Sequence, residues 1–304
     1  MINIKSPVDI EQMKAAGALS KAALRRAGAL VRPGVSTKEI DQVVEGFIRL
    51  HGAVPTFKGY GGFPASICSS VNEQIVHGIP SPVTILQEGD IISIDTGATY
   101  QGWVGDNAWT FYVGEPSAEW KALCECTRDC LKAAIEQAVP GNHLGDIGAV
   151  VQELAEKNGY GVVRDYVGHG VGRVMHEDPE VRNYGRRGRG VRLQAGMVIA
   201  IEPMITLGTY RCHTLANGWT VVTDDGQPAA PMRTRLPSPR MAPSFSPRTR
   251  GARGARCTGV PRSRHLDRQA PIESMLCWSD AAWTQFWIFG MIFGRCQRVE
   301  REEF

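Results

Sequence analysis

The sequence predicts an α+β fold built from one unit used twice, and three observations carry that prediction. The first is an internal repeat. Pro33, Gly34, Ile40, Val43, Val44 and Gly52 return at a constant offset of 107 residues as Pro140, Gly141, Ile147, Val150, Val151 and Gly159. The second is that strand-like segments follow a pair of helical patterns in each copy. The third is the stretch Gly89 to Tyr112, whose apolar and alternating residues read as two antiparallel strands around a tight turn. Together they describe an antiparallel sheet flanked by two helix pairs, with pseudo-twofold internal symmetry.

Taken in order, Ser6-Pro7-Val8-Asp9 opens the first helix, with Ser6 as cap, Pro7 at the first helical position and Asp9 at the third. Ile10, Met13, Ala16, Leu19 and Leu24 recur near helical spacing, and Pro33-Gly34 marks the stop. Ser36-Thr37-Lys38-Glu39 is a second capping box, starting a helix through Ile40, Val44 and Phe47 that Gly52 ends. Ser66–Ser70 and the 90–112 hairpin supply strands. Glu115-Pro116-Ser117 starts the third helix, and Asn158-Gly159 ends the fourth. Strands then fall at Gly161–Tyr166, Gly196–Glu202 and Gly218–Thr223.

In the hairpin, a turn at Tyr100-Gln101 would set Asp95 directly opposite Asp106. Opposed side chains share a face with Cβ atoms about 4.5–5.5 Å apart. Two carboxylates at that distance repel unless a proton or a cation lies between them. Further donors follow downstream. His77 lies in a turn-rich segment ending at Pro80, and His169 lies in Gly168-His169-Gly170-Val171-Gly172, where glycines let backbone crowd a site. His176 comes seven residues later, and Glu202 ends the apolar strand Met197–Ile201. Each has a plain structural alternative: a hydrogen-bonded core histidine, a solvated turn aspartate, a strand-end cap. An acid ending so apolar a strand is expected to be buried, and a buried carboxylate needs a partner. Oxygen donors with one imidazole suit Mn²⁺, Fe²⁺ or Co²⁺, and bridging carboxylates suit two ions.

The composition splits near residue 232. The chain of 304 residues carries +3 overall, yet thirteen Arg, no Lys and six acids follow Met232, while 21 basic and 25 acidic side chains precede it. Residues 231–268 hold ten Arg and six Pro with few periodic apolar positions, and an aromatic-rich stretch follows. This predicts an ordered domain over 1–231 and a tail over 232–304 that is disordered or read out of frame. Cys124, Cys126 and Cys130 lack paired zinc spacing and read as reduced thiols on a helix. The N-terminus lacks a secretory apolar region, and the longest uncharged apolar run, 281–294, is too short to span a bilayer, so a cytoplasmic protein is expected.

In order and spacing, His77-Gly-Ile-Pro, Ile94-Asp95, Gly105-Asp106, Gly168-His169-Gly-Val-Gly, Met175-His176-Glu and Ile201-Glu202-Pro-Met resemble the type I methionine aminopeptidases, in the short bacterial form. The resemblance runs from about residue 3 to residue 230. It implies the pita-bread fold, removal of N-terminal methionine from nascent proteins, and two divalent ions (Co, Mn, Fe or Zn) held by Asp95, Asp106, His169 and Glu202. It also implies that His77 and His176 hydrogen-bond the substrate and that Glu202 shuttles a proton. Tyr60, Phe63 and Trp219, with Phe57 nearby, would line a methionine pocket. Its partners would be N-terminal Met peptides, with ribosome proximity, no membrane and a monomeric state.

The chain departs from the family after Ala230. Where the family continues with Gln, an aromatic residue and a metal-bridging Glu, this chain has Pro231-Met232-Arg233. The guanidinium of Arg233 would stand at the fifth-ligand position and repel cations, which counts against activity. The family's final strands would be missing, leaving an unpaired sheet edge. The alternative is a non-catalytic binding module on the same fold, associated with ribosome or RNA through the basic tail.

Overall fold

The structure, a computed structural model, describes residues 1–237. Four helices carry the repeat: α1 (Pro7–Gly28), α2 (Thr37–Leu50), α3 (Ala118–Gln137) and α4 (Leu144–Lys157). The 107-residue offset maps α2 onto α4 residue for residue, both 14 long. The repeated glycines sit in the same left-handed conformation: Gly34 and Gly141 before these helices (φ 85° and 100°), Gly52 and Gly159 after them (φ 71° and 81°). Each recurs because a side chain is strained at those angles.

Both predicted capping boxes form. Ser6 Oγ accepts from the Asp9 N–H at 3.2 Å while Asp9 accepts from the Ser6 N–H at 2.9 Å, and Ser36 and Glu39 repeat the exchange at 3.2 and 2.8 Å. Helix α1 ends at Gly28, short of Pro33-Gly34, because Leu30 and Val31 donate to Ala27 and Gly28 in tightened turns. In α2, Gly46 is exposed and an added methyl would meet nothing within 4 Å. Gly46→Ala is therefore expected to stabilise the chain by about 0.5–1 kcal/mol, read as a rise in the thermal midpoint.

The first half places a four-stranded antiparallel sheet behind α1 and α2. Ile91–Tyr100 pairs with Val54–Pro55 and Ile67–Val71 along one edge and with Trp103–Tyr112 along the other. The second half repeats the plan with the order Thr234–Pro237, Val198–Ile201, Gly168–Gly170, Glu177–Val181. Two three-stranded sheets complete the described strands. Each half has its own apolar core. One joins Leu24, Ile40, Val44, Ile48, Ile92 and Ile94; the other joins Leu123, Cys130, Ile147, Val151, Ile199 and Ile205. Cys124, Cys126 and Cys130 are free thiols on α3, as expected. No helix among the described residues is long and apolar enough to cross a membrane.

Three sequence expectations are corrected. The hairpin turn is at Gln101-Gly102, both at positive φ (51° and 76°), so Tyr100 pairs with Trp103. Asp95 therefore stands opposite Ala108, and Asp106 opposite Gly97. Glycine at the second turn position decides this, because a two-residue turn matching strand twist needs left-handed conformations. The expected unpaired edge is covered: Thr234–Pro237 pairs antiparallel with Val198–Ile201, Thr234 facing Ile201. Short strands at Gln74–Val76, Gly168–Gly170, Glu177–Val181, Met204–Thr206, Cys212–Thr214 and Ala229–Pro231 escaped the sequence reading. The tail predicted for 232–304 lies, from residue 238 onward, outside the described residues.

Candidate metal centre

The register shift leaves the acids on one face. Moving the pairing by two residues preserves which side of a pleated sheet each side chain occupies. Asp95 and Asp106 are now diagonal neighbours, with Ala108 facing Asp95. Ala108 also exchanges both backbone hydrogen bonds with Arg233, at 3.0 and 3.3 Å. Asp95, Ala108 and Arg233 thus form a row across three strands. The methyl of Ala108 is small enough for the outer two to meet over it.

That register aims Arg233 into the acids. Its Nη1 donates to Asp106 Oδ1 at 2.7 Å and lies 2.8 Å from Asp95 Oδ2, while Nη2 lies 2.5 Å from Glu202 Oε2. One guanidinium takes one oxygen from each of three carboxylates. All four side chains are buried. Burial opposes the Arg233 charge, but Asp106, Asp95 and Glu202 hold its pKa well above the usual value. The expected repulsion of cations at this position thus becomes occupancy: Arg233 is itself the cation among the carboxylates.

The second oxygen of each acid has no hydrogen-bond partner: Asp95 Oδ1, Asp106 Oδ2 and Glu202 Oε1. His169 Nε2, also unpartnered, lies 3.2 Å from Glu202 Oε1 and 3.5 Å from Asp106 Oδ2. His169 Nδ1 sits 2.7 Å from the carbonyl of Gly170, which can only accept, so Nδ1 carries the proton. Burial keeps the ring pKa below its usual value, and the neutral ring presents a lone pair at Nε2. Three buried acceptors, from Asp106, His169 and Glu202, therefore converge within 4.8 Å with no donor between them. Such an arrangement is stabilised by a cation, and the donor set fits a divalent ion. Burial also raises the Asp95 carboxyl well above the carboxylate range and takes Glu202 to about 7, with Arg233 offsetting part of each rise.

The remaining predicted residues ring this centre. His77, in a left-handed conformation (φ 60°), lines a cleft with Cys68, Ser70, Asp95, Glu202 and Arg233. Cys68 pairs with Asp95 across the sheet, and burial keeps its thiol protonated. His176 reaches solvent, packs its ring 4.3 Å from that of His169, and joins its Nδ1 to the Tyr60 hydroxyl at 2.7 Å. Phe63 meets Trp219 edge-on at 5.1 Å, and Trp219 faces His77 at 6.4 Å. Phe57 and Phe63 are buried in one apolar cluster with Met175, and Trp219 packs on it. Asn183 is a site residue that the sequence did not signal: fully buried, it donates to the backbone carbonyl of Glu202 at 2.7 Å. Its polar loop looks like any other in the sequence, and only its burial marks it.

His77 is pushed down to about 4, first by desolvation and then by Arg233 and His176. A histidine depressed in the folded state contributes stability above the unfolded pKa of about 6.5, and that stability is lost as pH falls toward 4. His77→Gln is expected to flatten the fall in stability between pH 6.5 and 4 by roughly 1 kcal/mol per pH unit. Urea titrations at several pH values measure it; parallel profiles would refute the assignment.

Comparison with known proteins agrees with this geometry. The model of metallopeptidase family M24 matches residues 11–229. A methionine aminopeptidase of Clostridium acetobutylicum is 54% identical over 230 residues, covering 76% of this chain and 92% of the relative. Methionine aminopeptidase 1 of Bacillus subtilis is 47% identical over 230 residues, covering 76% and 92%. Among solved structures, the methionine aminopeptidase of Thermotoga maritima superposes with a TM-score of 0.77 at 44% identity, covering 78% of this chain and 96% of that one. A prolidase of Pyrococcus horikoshii, at 24% identity and a TM-score of 0.62, shares the fold. With its repeated helix pairs, its buried acid and histidine cluster and these relatives, the chain belongs to the methionine aminopeptidases of metallopeptidase family M24.

Proposed function

We propose that this chain removes N-terminal methionine from peptides and nascent proteins by metal-assisted hydrolysis. The observation that carries the reading is the convergence of the unpartnered Asp106, His169 and Glu202 donors. Asp106, His169 and Glu202 would hold a divalent ion, which supplies Lewis acidity, polarising the scissile carbonyl and making water a nucleophile at neutral pH. The protein's own groups do the rest. Glu202, beside the ion, can take a proton from the attacking water and pass it to the leaving amine. His176 is neutral near pH 7, its pKa lowered to about 4 by partial desolvation and by His169, and it is set to hydrogen-bond the peptide. His77, lowered likewise to about 4, shares that protonation state and lines the cleft with Glu202. Phe63, Trp219 and Tyr60, with Phe57 behind, offer an apolar surface for a flexible thioether.

The catalytic domain in this reading is residues 1–231 extended by the strand Thr234–Pro237, acting as a cytoplasmic monomer near the ribosome. The two-ion site implied by the resemblance would need Asp95, Asp106 and Glu202 to release Arg233, which engages all three. Incubation of purified chain and Mn²⁺ with a Met-Gly-Met peptide tests the function. Methionine release is expected, and it should fall by about two or more orders of magnitude in His169→Ala. Absence of release, or release indifferent to His169, would remove the reading. Binding of ribosomal RNA without turnover would favour the non-catalytic alternative.

A further inference from the structure

We infer that the Arg233 guanidinium is a resident cation in place of a second metal ion, so that the centre takes one divalent ion, between Asp106, His169 and Glu202. The inference deepens the proposed hydrolase reading and rests on it.

Two independent features support it. The first is how the oxygens are divided. Arg233 holds Asp95 Oδ2, Asp106 Oδ1 and Glu202 Oε2, so none of these three oxygens is open to a second ion. The unpartnered Asp106 Oδ2, Glu202 Oε1 and His169 Nε2 face each other on the far side of the same carboxylates. Asp106 and Glu202 each divide their two oxygens between these places, as a bridging carboxylate does between two ions, but one of the two cations is organic and covalently attached. Asp106 is fully buried, and Glu202 and His169 are 4% and 7% exposed, so no bulk water reaches these groups freely.

The second feature is charge. With the carboxyls ionised, as they are beside a bound cation, three carboxylates and one guanidinium next to a neutral His169 carry two net negative charges, and one divalent ion cancels them. Two divalent ions would leave two uncancelled positive charges beside a guanidinium that cannot lose its proton, which a buried site strongly disfavours. Glutamate at position 233 would reverse the arithmetic: four carboxylates balance two divalent ions. The residue at 233 thus sets the metal count. It is held on target by backbone rather than by its own flexibility, through the paired hydrogen bonds to Ala108 and the Met232 N–H bond to the Pro203 carbonyl.

The test uses the full-length chain, stripped with chelator and dialysed to equilibrium against Mn²⁺, with bound metal counted by atomic emission. One Mn²⁺ per chain is expected for the wild type and for Arg233→Lys, and two for Arg233→Glu. Two ions in the wild type, or none, would overturn the inference, as would a single ion in Arg233→Glu. Electron paramagnetic resonance of the wild type alone decides the matter if that variant does not fold. The six-line spectrum of isolated Mn²⁺ supports one ion, and the spectrum of a spin-coupled pair contradicts it. Methionine release is not read in these measurements. One bound ion without turnover keeps this inference and removes the proposed function, whereas turnover with two ions does the reverse.

Discussion

Arg233→Met is expected to destabilise the metal-free chain by about 3–5 kcal/mol, the effect of leaving buried charges without their partner. The variant keeps much of the side-chain volume and removes the positive charge that contacts Asp95, Asp106 and Glu202. For a domain of this size the loss corresponds to a fall of roughly 10 °C in the thermal midpoint. Divalent ions should restore most of it: a ligand that binds only the folded state at about 100 times its Kd adds about 2.7 kcal/mol. The expected signature is therefore a variant less stable than wild type in chelator and more strongly stabilised than wild type by Mn²⁺. Equal midpoints for the two proteins in chelator would mean that the guanidinium does not hold the carboxylates.

Gly105→Ala should be comparably damaging through packing alone. A methyl at this position would lie 2.0 Å from the carbonyl oxygen of Ala16 and 2.4 Å from its carbon. Both atoms are backbone of α1, so no rotamer change relieves the clash, and the helix must move by more than an ångström. Overpacking of this kind costs typically 1–3 kcal/mol and more where backbone is the obstacle. Asp106 is the next residue, so the displaced strand carries a ligand with it. The expected result is a thermal midpoint lower by about 10 °C together with weakened Mn²⁺ binding. A variant that keeps wild-type stability would show that α1 does not press on the hairpin at this point.

The fold was legible where local chemistry and periodicity coincide. Ser6 and Ser36 cap the helices they were expected to cap, the third helix starts after Glu115-Pro116-Ser117 as expected, and the repeat places α4 from α2. The hairpin shows the limit. Tyr100-Gln101 and Gln101-Gly102 are both plausible turns by composition, and only the positive φ that glycine tolerates chooses between them. The acids survived that error because a shift of two residues cannot change a side chain's face. Strands of three residues, such as Gly168–Gly170, carry too little alternation to be seen; their partners define them.

At the site, the acid and histidine set was readable because buried acids are rare without partners. What could not be read was the arrangement around Arg233. From the sequence, a guanidinium near metal ligands signified repulsion. Its strand register to Ala108, a long-range pairing, turns it instead into the counter-ion of three carboxylates. Asn183 was invisible for a similar reason, since its role depends on lying beside Glu202, nineteen residues away in the chain.

Anomalous diffraction from crystals grown with Mn²⁺ tests the central claim most directly, because it places cations and the Arg233 side chain in one map. A single anomalous peak within coordinating distance of Asp106, His169 and Glu202, with the guanidinium still on Asp95, Asp106 and Glu202, is the predicted result. Two peaks with Arg233 swung out of the cluster would contradict it.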